Sequence, residues 1–257
     1  MMDETAEINY AWGRALFDGL SGAGVRRVVL SPGSRSTPLA LAAARHPDLH
    51  TQVVLDERGA AFFALGAARA GGAPVALVAT SGSAVSEWLP GVTEADLARV
   101  PLILLSADRP PELRQCGANQ TIDQPGLFGS RSRFSLELPL PERALLPTAC
   151  RAATQAVAVA RWPLPGPVHL NVPLREPLTP GRDGPPLALR AARVSRPLLQ
   201  PDPGHLQECR YLVKDFGTSQ SPKSTRQRDS RYCPDRPALI TTPSRTLQQS
   251  CSCATPS

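Results

Sequence analysis

Arg35, Glu57, Arg109 and the small hydroxyl residues around them are the groups of this chain best suited to chemistry. They lie in four polar stretches: Ser31-Pro32-Gly33-Ser34-Arg35-Ser36-Thr37-Pro38, Asp56-Glu57-Arg58-Gly59, Thr80-Ser81-Gly82-Ser83 and Ser106-Ala107-Asp108-Arg109-Pro110-Pro111. Each follows a short apolar run with the character of a strand. An arginine fork binds carboxylates or phosphates through paired hydrogen bonds. A carboxylic acid withdrawn from water has its pKa raised and can hold or share a proton. It can then donate a hydrogen bond to a heterocycle nitrogen, a task that needs neither a nucleophile nor a metal. Taken alone, Asp56 or Glu57 reads as a cap for the Ala-rich helical pattern that follows. Four such strand ends on one edge of a sheet read as a site, because ligands of open α/β sheets bind at the carboxyl edge.

The common signatures of other chemistries are absent. No GxGxxG follows the first strand and no GxxxxGK[ST] occurs, so neither usual nucleotide cradle is present. His46, His50, His169 and His205 form no HExxH or triad-like set, and Ser81 is not in a GxSxG elbow. Gly181-Arg182-Asp183-Gly184 is only superficially a Gly-Asp-Gly element. Of the six cysteines, only Cys116 and Cys150 precede residue 200, and Cys251-Ser252-Cys253 has the wrong spacing for a zinc pair. Neither a disulfide framework nor a metal site is expected on this chain.

The elements that must position these residues follow from periodicity. Asn9 to Leu20 is an amphipathic helix with Trp12, Leu16, Phe17 and Leu20 on one face. Strands are expected at 26–31, 52–55, 74–80, 102–106, 134–138 and 167–172. The strand ending at Leu55 reads as buried, delivering Asp56, Glu57 and Arg58 to the edge. Helices are expected at 39–45, 59–70 (closed by Gly71-Gly72), 84–99 and 147–161, with Pro90 kinking or breaking the third. The stretch 119–128 is irregular. Strand-helix alternation of this kind predicts an α/β fold, a doubly wound parallel sheet with helices on both faces.

Hydrophobic residues make up 42% of the chain, enough for a packed core. The net charge of +6 comes from scattered arginines without basic runs, which does not fit nucleic-acid binding. No apolar run is long enough to span a membrane. The acidic start Met1-Met2-Asp3-Glu4 is unlike a secretion signal, so a cytoplasmic location is expected.

The character changes near residue 180. The expected organisation is a domain at 3–178, a Pro- and Arg-rich linker at 179–206, and a tail at 207–257. Ser, Thr, Gln, Arg and Pro dominate the tail, a composition that buries too little to offset the entropy of ordering. Lys214 and Lys223 are the only lysines of the chain and both lie there, as after a frameshift. A natural disordered tail is the other reading.

Six segments occur in one order: Ser31-Pro-Gly-Ser-Arg-Ser-Thr-Pro38, Asp56-Glu-Arg-Gly59, Thr80-Ser-Gly82, Ser106-Ala-Asp-Arg-Pro-Pro-Glu-Leu113, Gly117-Ala-Asn-Gln120 and Val168-His-Leu-Asn-Val-Pro173. Together they resemble the N-terminal, pyrimidine-binding domain of the 2-succinyl-5-enolpyruvyl-6-hydroxy-3-cyclohexene-1-carboxylate synthase family. These are thiamine-diphosphate transferases of menaquinone biosynthesis. The resemblance covers about residues 5 to 178. SPGSRSTPL and ADRPPEL followed by GANQ carry it most specifically.

The resemblance implies that 2-oxoglutarate is decarboxylated on thiamine diphosphate and the carbanion added to isochorismate. Glu57 matches the glutamate that hydrogen-bonds N1′ of the aminopyrimidine and promotes ylid formation. Thr80, Ser81 and Gly82 match the loop beside that ring. Ser34, Arg35, Arg109, Asn119 and Gln120 match substrate-binding residues. For Arg109, an ion pair with Asp108 or Glu112 is the structural reading. The family binds its diphosphate through Mg²⁺ or manganese on a C-terminal domain that this sequence does not contain, and its site is shared between the subunits of a dimer. The expectation is therefore a truncated chain, inactive alone, that acts as a homo-oligomer or beside the missing domains. Two other readings stay open: a thiamine-diphosphate enzyme of the acetolactate-synthase type, and a non-catalytic partner-binding domain.

Overall fold

The computed structural model describes residues 4–180. The elements run in the order α1 Glu4–Gly22, β1 Arg27–Leu30, α2 Thr37–Ala44, β2 His50–Val53, α3 Glu57–Gly71, β3 Val75–Ala79, α4 Ser83–Ser86, α5 Leu89–Leu97, β4 Leu102–Asp108, β5 Phe134–Glu137, α6 Leu146–Arg161 and β6 Val168–Pro173. The strands form one sheet in the order β2-β1-β3-β4-β6-β5, every pair parallel. All carboxyl ends therefore share one edge. The order reverses between β1 and β3, the place where such sheets open a crevice.

Side chains alternate strictly across the sheet, as the pleat requires. Val28, Leu30, Ala76, Val78, Ile103, Leu105, Leu170 and Val172 face a core built with α1, α2 and α6. Val29, Val75, Leu77, Ala79, Leu102 and Leu104 face a second core with α3, α4 and α5. α1 packs along α6 so closely that a Cβ on Gly19 would stand 2.3 Å from the Cys150 carbonyl oxygen. Asn9 ties the same helix to the segment after β6, its Nδ2 donating to the Arg175 oxygen at 2.8 Å and the Pro177 oxygen at 3.2 Å.

Most expected boundaries hold to within a few residues. The helix expected over 84–99 is broken into α4 and α5 beside Pro90, which sits in the first turn of α5. Gly72 closes α3 in the left-handed conformation at φ 61°. Strand β2 corrects the expectation of a buried strand. It lies two residues earlier, pairs only with β1 at the sheet margin, and leaves Val53 54% and Leu55 79% exposed. An apolar run does not say which surface buries it. The linker expected from 179 lies, apart from residues 179 and 180, outside the described residues, as does the tail at 207–257.

Candidate functional site

The ends of β1, β2, β3 and β4 are stitched together at the carboxyl edge. Ser31 donates its backbone N–H to the Val78 oxygen at 2.9 Å and its hydroxyl to the Val54 oxygen at 2.8 Å. The turn after β1 lies directly on the turn after β3, because a Cβ on Gly33 would fall 2.4 Å from Thr80 Cβ. Only glycine permits that approach.

Asp56 is the cap: its carboxylate accepts the Gly59 N–H at 2.5 Å, and its backbone is extended. Glu57 follows as the first residue of α3, half-buried, with no hydrogen bond or ion pair among the described residues. The burial expected around its carboxyl is not supplied by the described residues.

Arg35 is 5% exposed and lies in the turn entering α2. It donates Nη1 to the Leu174 oxygen at 3.0 Å and Nη2 to Glu176 at 2.7 Å. Its Nε is buried without a partner. Arg109, just past β4, is half-buried and donates to the Ser81 hydroxyl and, at 3.1 Å, to the Gln120 carbonyl. Burial first, then the nearby charge of Arg35, hold its guanidinium below the ordinary arginine value, against the pull of Asp108 and Glu176. The structural reading of Arg109 is not what is seen. Asp108 pairs with Arg114 at 2.9 Å and takes only the backbone N–H of Arg109, while Glu112 pairs with Arg175 at 2.5 Å.

Thr80, Ser81 and Gly82 are buried, and the 117–124 stretch closes over them. Ser81 donates its hydroxyl to the Gln120 oxygen at 3.0 Å, and Gln120 returns Nε2 to the Ser81 oxygen at 2.9 Å. Gly82 has φ 79° and ψ −141°, a conformation only glycine holds readily. Ser81, Arg109 and Gln120 are thus brought together. Ser34 and Asn119 are exposed on the same side-loops, and no side-chain bond draws either into the cluster.

A buried polar chain beneath this cluster was not singled out from sequence. Asn171 donates Nδ2 to Asp108 at 2.8 Å, so its Oδ1 must be the acceptor facing Ser106 and Gln124, both at 2.8 Å. Ser106 therefore receives its own bond from His169 Nε2 at 2.7 Å, which fixes the tautomer. Burial pushes the His169 imidazole down to about 4, so it is neutral. Asp108 is fully buried, and burial raises its carboxyl despite Asn171 and Arg114. The signal was present in the alternation: Ser106, Asp108, His169 and Asn171 are polar breaks at every second place of apolar strands.

Among the described residues no group of three or more His, Cys, Asp or Glu is placed to hold a metal ion. No described helix is long and apolar enough to cross a membrane.

Comparison with known proteins gives a consistent result. The family described as "Thiamine pyrophosphate enzyme, N-terminal TPP binding domain" matches residues 11–127. A 2-succinyl-5-enolpyruvyl-6-hydroxy-3-cyclohexene-1-carboxylate synthase of Dechloromonas aromatica is 50% identical over 205 residues, covering 78% of this chain and 38% of that protein. Proteins of the same name from Chloroflexus aurantiacus and Thermosynechococcus vestitus are 56% and 55% identical, covering 70% and 68% of this chain and 31% of each of theirs. The chain thus spans between 31% and 38% of the length of these curated relatives.

Proposed function

We propose that this chain, which matches the N-terminal domain of thiamine pyrophosphate enzymes over residues 11–127 and is 50% to 56% identical to synthases named 2-succinyl-5-enolpyruvyl-6-hydroxy-3-cyclohexene-1-carboxylate synthase, forms the aminopyrimidine side and the substrate-carboxylate side of that enzyme's site. One observation carries the reading. Arg35 and Arg109 stand close enough at the carboxyl edge for the charge of one to weigh on the other, and Arg35 keeps a buried Nε–H without an acceptor. Paired guanidiniums suit substrates that carry carboxylates. 2-Oxoglutarate and isochorismate, each with two, are the substrates we propose. Ser34, Asn119 and Gln120 border the same edge and complete the proposed contacts.

The described residues fit the pyrimidine half of thiamine diphosphate. Glu57 offers a carboxyl with no side-chain partner among the described residues at the start of α3, and the tight Thr80-Ser81-Gly82 turn follows β3 at the same carboxyl edge. Bound there, the cofactor supplies the electron sink that decarboxylation and carbon–carbon bond formation require. Glu57 holds the ring by sharing a proton with a ring nitrogen, and Thr80, Ser81 and Gly82 flank it. The diphosphate and its Mg²⁺ or manganese are held by groups other than the described ones. A second copy of the chain covers the apolar β2 and α3 margin, where Leu55, Phe62 and Phe63 are exposed. Within this reading the reaction is proposed to be cytoplasmic. The identities of 50% to 56% to synthases of one name favour this reading over an acetolactate-synthase relative.

The test is a nuclear magnetic resonance titration of the isotope-labelled chain. Thiamine diphosphate with Mg²⁺, added to millimolar concentration, is expected to shift the amides of Glu57 and Thr80 to Gly82. Glu57→Gln weakens that response about tenfold or more, as loss of a charge-assisted hydrogen bond should. 2-Oxoglutarate is expected to shift the side-chain Nε–H signals of Arg35 and Arg109. Silence at these positions under both ligands overturns the reading.

A further inference from the structure

We infer that Gln124 is the positioning residue of this site: one buried amide sets where the Ser81-Gly82 turn stands relative to the end of β4, and with it the placement of Arg109 and Gln120. The inference rests on the site proposed above, but its geometry is independent of any ligand. Gln124 is fully buried, although it lies in a stretch without regular structure. Its Oε1 accepts the Gly82 N–H at 2.8 Å. Its Nε2 donates to the Ala107 oxygen at 3.2 Å and to Asn171 Oδ1 at 2.8 Å. The three partners belong to the turn after β3, to β4 and to β6. Both N–H groups and the oxygen are thereby used.

The polarity of these bonds is fixed. A backbone N–H can only donate and a backbone carbonyl only accept, so the amide has one possible orientation. A carboxylate of the same shape would aim oxygen at Ala107 O and Asn171 Oδ1. The charged groups that face the pocket are Asp108, which receives bonds from Asn171 and the Arg109 N–H, and Arg114, which pairs with Asp108. His169 faces it through Ser106 and is neutral. The consequence for the site is mechanical. Gln120 grips Ser81 from the start of the closing stretch, and Gln124 grips Gly82 from its end. A Cβ on Gly82 would meet Gln120 Cγ at 2.7 Å, so this closure leaves no slack.

Hydrogen exchange of the full-length chain, without ligand, tests this. Gln124→Glu at neutral pH is expected to lower the protection factor of the Gly82 amide by about tenfold or more, because a buried donor loses its geometry. The Leu77 and Leu104 amides, inside the sheet, keep theirs. The Arg109 Nε–H signal moves with Gly82. Acidification protonates the new carboxyl, which then supplies one of the two donors the amide had, and Gly82 regains part of its protection; the wild-type chain at each pH is the reference. Gln124→Met, similar in shape but unable to bond, shows the same loss with no recovery on acidification. Unchanged Gly82 protection in both variants overturns the inference, as does a loss shared equally by the sheet amides. Should neither variant fold, the wild-type chain decides: free exchange of the Gly82 amide and of the Gln124 side-chain amide also overturns it. Failure of the ligand titrations with these results intact would discard the proposed substrates and leave Gln124 in its role.

Discussion

His169 shows how a residue type can mislead when read without its surroundings. It stands beside a serine, yet burial holds its imidazole down to about 4, and the Ser106 hydroxyl donates its hydrogen bond to Asn171 rather than to the ring. Its work is to stay neutral. The unfolded chain binds a proton at this residue below about 6.5 and the folded chain does not until about 4. Stability contributed by His169 is therefore complete above 6.5 and is lost as pH falls from there towards 4, by up to about 3 kcal/mol. Asp108 acts in the opposite sense, since its raised carboxyl favours the folded state as acid is added. Urea midpoints measured from pH 7 to pH 4.5 are expected to fall more steeply in the wild type than in His169→Gln, and parallel curves would refute the assignment. Arg35 and Arg109 were legible as chemistry because an arginine beside small residues at a strand end has few structural uses. Gln124 was not, because a glutamine in an irregular stretch looks like solvent-facing loop until the partners of its amide are known.

The elements were the most legible level, and for a physical reason. Fully buried parallel strands read as continuous apolar runs, and their helices as Ala-rich patterns between glycines. Pro90 announced the break between α4 and α5, and Gly72 the end of α3. What the pattern could not give was the neighbour of each face. Gly19 and Gly66 illustrate this, since both sit inside helices and look alike in the sequence. Gly19 is wedged against the Cys150 carbonyl, whereas Gly66 has nothing within 4 Å of an added Cβ. Gly19→Ala is expected to cost about 1–3 kcal/mol because rigid backbone must move. Gly66→Ala is expected to stabilise by about 0.5–1 kcal/mol through helix propensity. Thermal unfolding of the two variants checks the contrast, and a shift of the same sign in both would contradict the packing of α1 on α6.

At the scale of the whole molecule, the margin formed by β2 and α3 is a part that the described residues leave uncovered. Leu55, two residues past β2, is 79% exposed, Val53 on that strand and Phe62 and Phe63 on α3 are exposed as well, and β2 has one neighbour among the described strands. Such an edge invites another chain. Leu55→Asp is expected to convert a dimer to a monomer in light scattering while leaving the melting temperature of the monomer nearly unchanged; a wild-type chain that is monomeric at micromolar concentration would remove the second copy from the picture. The sequence suggested partnership through family likeness, but it read the 53–55 run as core, because apolar residues look the same whether their cover comes from within or from outside. A different consequence follows from how the first helix is held. Trp12, Leu16, Phe17 and Leu20 lie in one core with residues of α2, α6 and the sheet, and Asn9 bonds the carbonyls of Arg175 and Pro177. A chain leaving the ribosome therefore carries part of this greasy helix uncovered until α6, at 146–161, has been made. The contacts that hold Asn9 form only once residues 175–177 have been made, so chaperone capture would act during synthesis, before any cofactor is met.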